Sequence, residues 1–236
     1  MSSVTTIWKK ELRIYAVNPT AYAFLSVFLF LAGLFFYLGV TLTGEASLRV
    51  LSSNLAIAEL FILPMLTMRH FAEERRQGTL EMLLTAPISP WSLVIGKWLA
   101  SVTLCALMFL GTCVLPIILA YYGNPDWGVV LTTYLGLLFV AGAFCAAGLL
   151  ASTLLDDQLA AGLLGIAMLL PFWLISRAEA LVGDDLALKL QPFGVLNHLE
   201  AFGRGIIDSA DVYYFAAMTF TFLFLTYRSL ESRRWR

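Results

Sequence analysis

Apolar positions along this chain form long runs separated by short polar segments. The runs extend over Thr20 to Val40, Leu55 to Met68, Val94 to Tyr121, Val129 to Leu155, Leu159 to Ile175 and Val212 to Tyr227. A bilayer core about 30 Å thick requires about 20 apolar residues per helix. The pattern therefore predicts an all-α membrane protein with six transmembrane helices. The second run is short unless it begins near Leu51, and Pro64 should kink it.

The composition supports a membrane protein over a soluble one. Apolar residues make up 60% of the 236 residues and charged residues 13%, and the mean hydropathy is +0.82. Soluble domains carry about 25% charged residues, so this chain has too few charges to cover a soluble globule. The net charge of -1 gives no indication of a nucleic-acid partner. The three cysteines lie inside apolar runs without metal-ligand spacing, so no metal site is predicted.

Basic residues predict the orientation of the chain. With six spans, the side that holds both termini carries eleven of them: Lys9, Lys10, Arg13, Arg69, Arg75, Arg76, Lys97, Arg228, Arg233, Arg234 and Arg236. The opposite side carries four: Arg49, Arg177, Lys189 and Arg204. The positive-inside rule then places both termini and the 69–93 loop in the cytoplasm.

The first 18 residues have the pattern of an amphipathic helix that lies at the membrane surface. One face carries Val4, Ile7, Trp8, Leu12 and Tyr15, and the opposite face carries Lys9, Lys10 and Arg13. Glu11 falls on the apolar face, where a buried carboxylate needs a cation or hydrogen-bond donors. Two alternatives remain open: Glu11 pairs with an arginine of the next cytoplasmic loop, or it extends into the lipid headgroups.

The sequence pattern of residues 69–90 predicts a short helix that faces the cytoplasm. Gly78 suits the left-handed residue that ends a helix, and Thr79 can cap a new one with Glu81 in its first turn. Its apolar face would consist of Leu80, Leu83 and Leu84, and Pro87 would end it. Ser89 and Pro90 then suit the N-cap and first position of the third span. This helix either fits a groove in a partner protein or lies on the membrane surface.

Two further features are candidates for function. Glu59 lies in the middle of the second span, and a carboxylate in lipid is costly unless it has a partner or faces a cavity. It either contacts cargo, lines a water-filled path or is held neutral by a neighbouring helix. Residues 176–211 mix acidic and apolar residues, which is typical of interfacial or re-entrant helices. This periplasmic segment either serves as a gate or dock for a periplasmic partner or caps the fifth and sixth spans.

The chain resembles a known family over essentially its whole length. Residues 63–89, LPMLTMRHFAEERRQGTLEMLLTAPIS, resemble the signature of the type-2 exporter permeases of ATP-binding-cassette (ABC) systems. Residues 10–15 and 18–22 (KELRIY and NPTAY) and residues 202–208 (FGRGIID) are similar to one branch of that family. This branch includes the gliding-motility permeases and the permease of the nitrous-oxide-reductase maturation system. Ala16 departs from it, since the branch often has an aromatic residue there.

The resemblance implies a single permease domain over residues 1–236 in a bacterial inner membrane. Residues 1–18 would be an elbow helix, with Lys10, Glu11 and Arg13. Residues 69–90 would be the coupling segment seated on a partner ATPase, with Glu73, Glu74, Arg75, Gly78, Thr79, Leu80, Glu81 and Leu84. The complex would contain two ATPase subunits and two permeases, the second a copy of this chain or a related permease. Whether a periplasmic auxiliary protein is also needed stays open.

The sequence has no phosphate-binding loop of the form G-x-x-x-x-G-K-[ST]. ATP and Mg²⁺ are therefore expected on the partner ATPase, with no cofactor and no catalytic residue in this chain. The expected function is to couple ATP hydrolysis to the export of a cargo, which should be amphiphilic because Glu59 is the main polar group of the spans. An alternative is a mechanical transmitter that drives an envelope partner without passing cargo. A membrane-embedded scaffold or enzyme is a third class, although the sequence lacks H-E-x-x-H and paired intramembrane aspartates.

Overall fold

The structure, a computed structural model, describes residues 3–43, 48–79, 88–122, 125–177 and 189–234. In these ranges all regular structure is helical. The helices are α1 (Ser3–Val17), α2 (Pro19–Thr43), α3 (Leu48–Thr67), α4 (Arg69–Arg76), α5 (Pro90–Thr112), α6 (Val114–Tyr122), α7 (Trp127–Leu154), α8 (Gln158–Ile175), a 3₁₀ turn (Gln191–Phe193), α9 (Val195–Gly203) and α10 (Ser209–Arg234).

Five helical segments of the described chain are long and apolar enough to cross a membrane. They are Pro19–Thr41, Leu51–Arg76, Pro90–Tyr121, Trp127–Leu154 and Gln158–Ile175. These correspond to the first five predicted spans, and the second indeed begins at Leu51. The sixth predicted span, Val212 to Tyr227, lies within α10, which is helical over 26 residues but is not among the five. The count of six spans therefore stays a prediction.

The third predicted span is not one continuous helix. α5 ends at Thr112, Cys113 forms a turn, and α6 begins at Val114. The physical reason is Pro116, which has no N–H to donate to the carbonyl of Thr112 and whose ring crowds that carbonyl. The two helices together still form one apolar segment of 32 residues.

α7 is the central helix, and α2 lies at the outside of the bundle. α7 packs against α3, α5, α8, α9 and α10. In its most apolar stretch 83% of the residues are buried, whereas the corresponding figure for α2 is 11%. The outward face of α2 exposes Val27, Phe30 and Tyr37. Apolar side chains on such a surface suit contact with lipid.

Small residues allow α3, α7 and α8 to approach one another closely. Ala143, Ala147 and Ala151 of α7 are completely buried. A Cβ atom on Gly148 would collide with the side chain of Thr67 and would lie 3.0 Å from the Cα of Pro64, both in α3. These small residues of α7 therefore pack within the chain, as small residues do between close-packed membrane helices.

We expect Gly148→Ala to destabilise the fold by about 1–3 kcal/mol, because the added methyl group overpacks the contact with α3. Gly33→Ala in α2 is the matched control, since a Cβ atom there meets no described atom within 4 Å. It should be neutral or stabilising, as alanine favours a helix over glycine by about 1 kcal/mol. Thermal unfolding in detergent checks both. Equal melting temperatures for the two variants would contradict the close contact.

Candidate functional site

α1 is held tightly against the first half of α5. A Cβ atom on Gly96 would lie 2.8 Å from Cγ2 of Ile7 and 3.2 Å from the carbonyl oxygen of Val4. Glycine is therefore needed at this position for α1 to approach so closely. One residue after Ile7, the indole N–H of Trp8 donates a hydrogen bond to Oγ1 of Thr103 at 3.0 Å. α1 and α5 thus form one packed unit.

A buried ion cluster centred on Lys97 of α5 joins this unit to α4. The Nζ atom of Lys97 lies 3.0 Å from Oε1 of Glu11 in α1 and 2.7 Å from Oε1 of Glu74 in α4. It also donates to the carbonyl oxygen of His70 at 2.9 Å and lies 5.1 Å from the ring centre of Phe71. The side chain of Lys97 is only 2% exposed. All three donors of its ammonium group have acceptors.

His70 extends the cluster into a polar network between the same three helices. Its Nε2 atom lies 2.7 Å from Oγ of Ser101 in α5 and 2.9 Å from the hydroxyl of Tyr15 in α1. Its Nδ1 atom lies 3.6 Å from Oε2 of Glu11. A network of this kind specifies one arrangement of the helices that contribute to it.

The environment of Glu11 keeps its carboxylate ionised. Burial by itself raises the pKa of Glu11, but the hydrogen bond with His70 and the charge of Lys97 outweigh that effect. The pKa of Glu11 is therefore held far below its ordinary value of 4.5. Burial raises the pKa of the neighbouring Tyr15 above its ordinary value of 10, which keeps its phenol neutral.

The predicted arginine partner for Glu11 is wrong, because the structure gives it Lys97 and His70 instead. The prediction that a carboxylate on that face needs a cation is nevertheless fulfilled. Lys97 was counted among the basic residues that flank the membrane, but it is buried. The sequence contained a signal for the burial of Lys97, since Lys97 and Ser101 lie four residues apart on one face of a mainly apolar helix. Ionisable residues in such a stretch need partners.

We expect the stability of the fold to fall as the pH is lowered below about 4.5. A carboxylate with a depressed pKa contributes stability above its unfolded-state pKa, and this stability is lost as the pH falls towards the folded-state value. Melting temperatures measured between about pH 5 and about pH 3 should drop more steeply for the wild type than for Glu11→Gln. Glu200→Gln removes an exposed carboxylate (51% exposed, paired with Arg204) and should retain the wild-type slope. If Glu11→Gln also retains that slope, Glu11 is not the carboxylate that makes stability depend on pH.

The segment after α4 has the predicted helix ending. Gly78 adopts the left-handed conformation, with φ +68°. The hydroxyl of Thr79 donates back to the carbonyl of Glu74 at 3.1 Å. The helix that Thr79 should cap lies outside the described residues, with Leu80, Glu81 and Leu84. Ser89 and Pro90 begin α5 as predicted, and Oγ of Ser89 accepts a hydrogen bond from the amide of Ser92.

The remaining predicted coupling residues of α4 form ion pairs, one within the helix and one with a neighbouring turn. Glu73 accepts hydrogen bonds at 3.2 and 3.3 Å from the guanidinium of Arg69, one turn earlier. Arg75 forms an ion pair with Asp156, in the turn between α7 and α8, and its Nη1 atom lies 3.5 Å from the carbonyl oxygen of Thr153. α4 is thereby linked to α7 as well as to α1 and α5.

The other predicted site residues lie apart from the cluster. Lys10 and Arg13 are exposed on α1, as the amphipathic pattern predicts. Glu59 lies in α3, and His70 lies about 16 Å further along the helical axis, in α4. It is 0% exposed, and neither carboxylate oxygen has a hydrogen-bond partner among the described residues. The structure therefore does not join Glu59 to Lys97.

A second polar contact joins α9 to the first turn of α10, and sequence reasoning did not find it. Nδ1 of His198 in α9 lies 2.6 Å from Oδ1 of Asp211, and its Nε2 atom lies 2.9 Å from the carbonyl oxygen of Pro192. The imidazole stacks on the ring of Tyr214 at 4.1 Å between ring centres. Within residues 176–211, for which interfacial or re-entrant helices are predicted, α9 is helical, and residues 178–188 lie outside the described ranges. These contacts fasten α9 to the start of α10.

The sequence profile of the ABC-2 family transporter proteins matches residues 5–202, from α1 to the end region of α9. The chain belongs to this family. Two relatives, each described as "Probable multidrug ABC transporter permease YbhR", come from Escherichia coli strain K12 and Escherichia coli O157:H7. Each is 31% identical to this chain over 131 residues, or 56% of this chain. The match spans 35% of the length of either relative.

Family membership and the apolar helices together identify a multi-pass membrane protein of the ABC-2 permease class. The descriptions of the family and of both relatives name transporter proteins and permeases rather than enzymes. The finer resemblance to the gliding-motility and nitrous-oxide-reductase maturation branch stays a prediction.

Proposed function

We propose that this ABC-2 family chain is the membrane-spanning permease subunit of an ABC transport complex in a bacterial inner membrane. Both termini and residues 69–90 face the cytoplasm, where residues 69–90 seat on a partner ATPase. ATP hydrolysis by that partner drives the export of an amphiphilic cargo. The observation that carries this proposal is the buried Lys97 cluster, which joins α4, the first part of residues 69–90, to α1 and α5.

The cluster provides a route for mechanical coupling. A displacement of α4 moves Glu74 and His70, which hold Lys97 in α5 and Glu11 in α1. Separating buried ion pairs leaves uncompensated charges, which costs several kcal/mol. The three helices therefore move together between two packed arrangements. The ATPase biases this equilibrium through contacts that differ between the two arrangements.

The proposed partners follow from the same family. The sequence contains no phosphate-binding loop, so ATP and Mg²⁺ bind on the partner ATPase. A second permease, either another copy of this chain or a related one, completes the membrane part. The cargo is amphiphilic because the described helices bury few charged groups away from the cluster, and Glu59 in α3 is the main one within the spans.

Co-purification tests this proposal. The tagged chain is purified in mild detergent from its own host, co-eluting proteins are identified, and ATPase activity and transport of a fluorescent amphiphile into proteoliposomes are measured. Co-elution of an active ATPase together with transport supports the export complex. ATP hydrolysis with an envelope partner and without transport would instead support the gliding-motility-like transmitter. A chain that elutes alone without activity under several gentle conditions would contradict both.

We expect Glu59→Gln to lower transport, or the ATPase activity that depends on the permease, several-fold. The amide has nearly the shape of the carboxyl group but cannot ionise, and ionisable residues inside a membrane are commonly functional. Glu200→Gln, at an exposed site, should leave the rate unchanged. Rates for Glu59→Gln that equal those of Glu200→Gln would give Glu59 a purely structural role.

A further inference from the structure

A cavity of about 580 Å³ lies beside the ion cluster, between α1, α2 and α4. This volume is typical of small-molecule binding sites. One wall is apolar and consists of Ile14, Ala21, Phe24 and Leu66. The other wall is polar and includes Lys10, Arg69, Glu73 and Glu74. A ligand that fills the cavity therefore has one charged end and one apolar end.

Two cations line the polar wall at its outer part. Lys10 is exposed and has no ion-pair partner within the described part of the chain. The guanidinium of Arg69, with a side chain that is 26% exposed, bonds to Oγ1 of Thr20 and to Glu73. Arginine and lysine side chains in this arrangement suit a phosphate group, because charge-assisted hydrogen bonds to phosphate are strong.

Carboxylates line the same wall next to these cations. Glu74 has its Oε1 atom 2.7 Å from Nζ of Lys97, and its side chain is 14% exposed. A mostly buried carboxylate is costly unless cations or hydrogen-bond donors surround it. Glu73 beside it is 37% exposed. A primary ammonium group on the ligand would supply donors to this pair of carboxylates.

The charges of the wall favour a ligand without net charge. Lys10, Arg69 and Lys97 carry three positive charges, which balance the three negative charges of Glu11, Glu73 and Glu74. An anionic ligand would leave these carboxylates unfavourably close to its phosphate. A zwitterion satisfies both sets of groups.

We propose that this cavity binds a zwitterionic phospholipid whose headgroup joins a phosphate ester to a primary ammonium. The phosphate lies against Lys10 and Arg69, and the ammonium lies against Glu73 and Glu74. The acyl chains lie against the apolar lining, which includes Ile14 at 44% exposure, Phe24 and Leu66. This inference rests on the membrane placement of α1 in the proposed function, but it does not require the ATPase.

Native mass spectrometry of the purified chain tests the proposal. The protein is delipidated in detergent and then mixed in turn with phosphatidylethanolamine, phosphatidylcholine, phosphatidylglycerol and soluble glycerophosphoethanolamine. We expect phosphatidylethanolamine to be retained about tenfold more tightly than the other two lipids, a difference of about 1.4 kcal/mol. Phosphatidylcholine lacks the N–H donors, and phosphatidylglycerol lacks the positive charge. The soluble headgroup should bind weakly because it has no acyl chain for the apolar wall.

Matched variants localise the binding to the cavity. Lys10→Glu should weaken the retention of phosphatidylethanolamine, whereas Lys9→Glu, a change at an adjacent exposed lysine that does not line the cavity, should leave the retention unchanged. Ile14→Ser removes part of the apolar lining at a side chain that is 44% exposed, and should reduce lipid retention at a nearly unchanged melting temperature. Equal retention of the three lipids, equal behaviour of the two lysine variants, or equally tight binding of the soluble headgroup would each overturn the proposal. The experiment contains no ATPase, so its failure would leave the transport function standing.

Discussion

Lys97→Met is expected to destabilise the folded chain by about 3–5 kcal/mol, the cost of removing one partner of a buried ion pair. Methionine has a similar volume and length, so the packing around a side chain that is 2% exposed should change little. What changes is the charge, because Glu11 and Glu74 lose their common cation. The melting temperature and the monodispersity of the detergent-solubilised protein measure the effect.

Two further variants distinguish the effect of the unpaired carboxylates from the effect of removing a lysine. Lys9→Met removes an exposed lysine from α1, and should melt like the wild type. Combining Lys97→Met with Glu11→Gln and Glu74→Gln removes the two unpaired charges and should restore part of the lost stability. A melting temperature for Lys97→Met within the error of that for Lys9→Met would contradict the ion cluster.

The sequence predicted the membrane helices well because hydrophobicity along the chain is a local property. Five of the predicted runs correspond to helices of the required length. Local chemistry also predicted the left-handed conformation of Gly78 and the N-cap role of Ser89. The break before α6 follows from Pro116 by an equally local rule, so the sequence contained the information although the break was not predicted.

The ion cluster could be predicted only in part because its members are far apart in the sequence. Lys97 and Glu11 are separated by 86 residues. The apolar position of Glu11 indicated that a cation was needed, but several cations were available and the sequence does not give distances between helices. Arg75 presents the same difficulty, since its partner Asp156 comes from the turn between α7 and α8. Such pairings are set by how the helices pack.

The second large effect is expected from the proposed coupling role of residues 69–90. Gly78→Pro should lower permease-dependent ATP hydrolysis and transport by about tenfold or more, while the chain still inserts into the membrane. Gly78 has φ +68°, and proline is fixed near -65°. The end of α4 therefore cannot keep its geometry, and the following segment changes direction. A tenfold loss corresponds to only about 1.4 kcal/mol, which a redirected contact with the ATPase readily exceeds.

A graded series at the same position isolates the backbone as the cause. A Cβ atom on Gly78 would meet no described atom within 4 Å, so steric exclusion does not affect the comparison. Asparagine tolerates the left-handed conformation, and Gly78→Asn should retain most of the coupled activity. Gly78→Ala adopts it at a cost of about 1–2 kcal/mol and should be intermediate. Coupled activity is measured in proteoliposomes with the partner ATPase, at matched membrane levels of each variant. If all three variants couple like the wild type, the segment after α4 does not transmit the motion of the ATPase, and coupling must enter the bundle elsewhere.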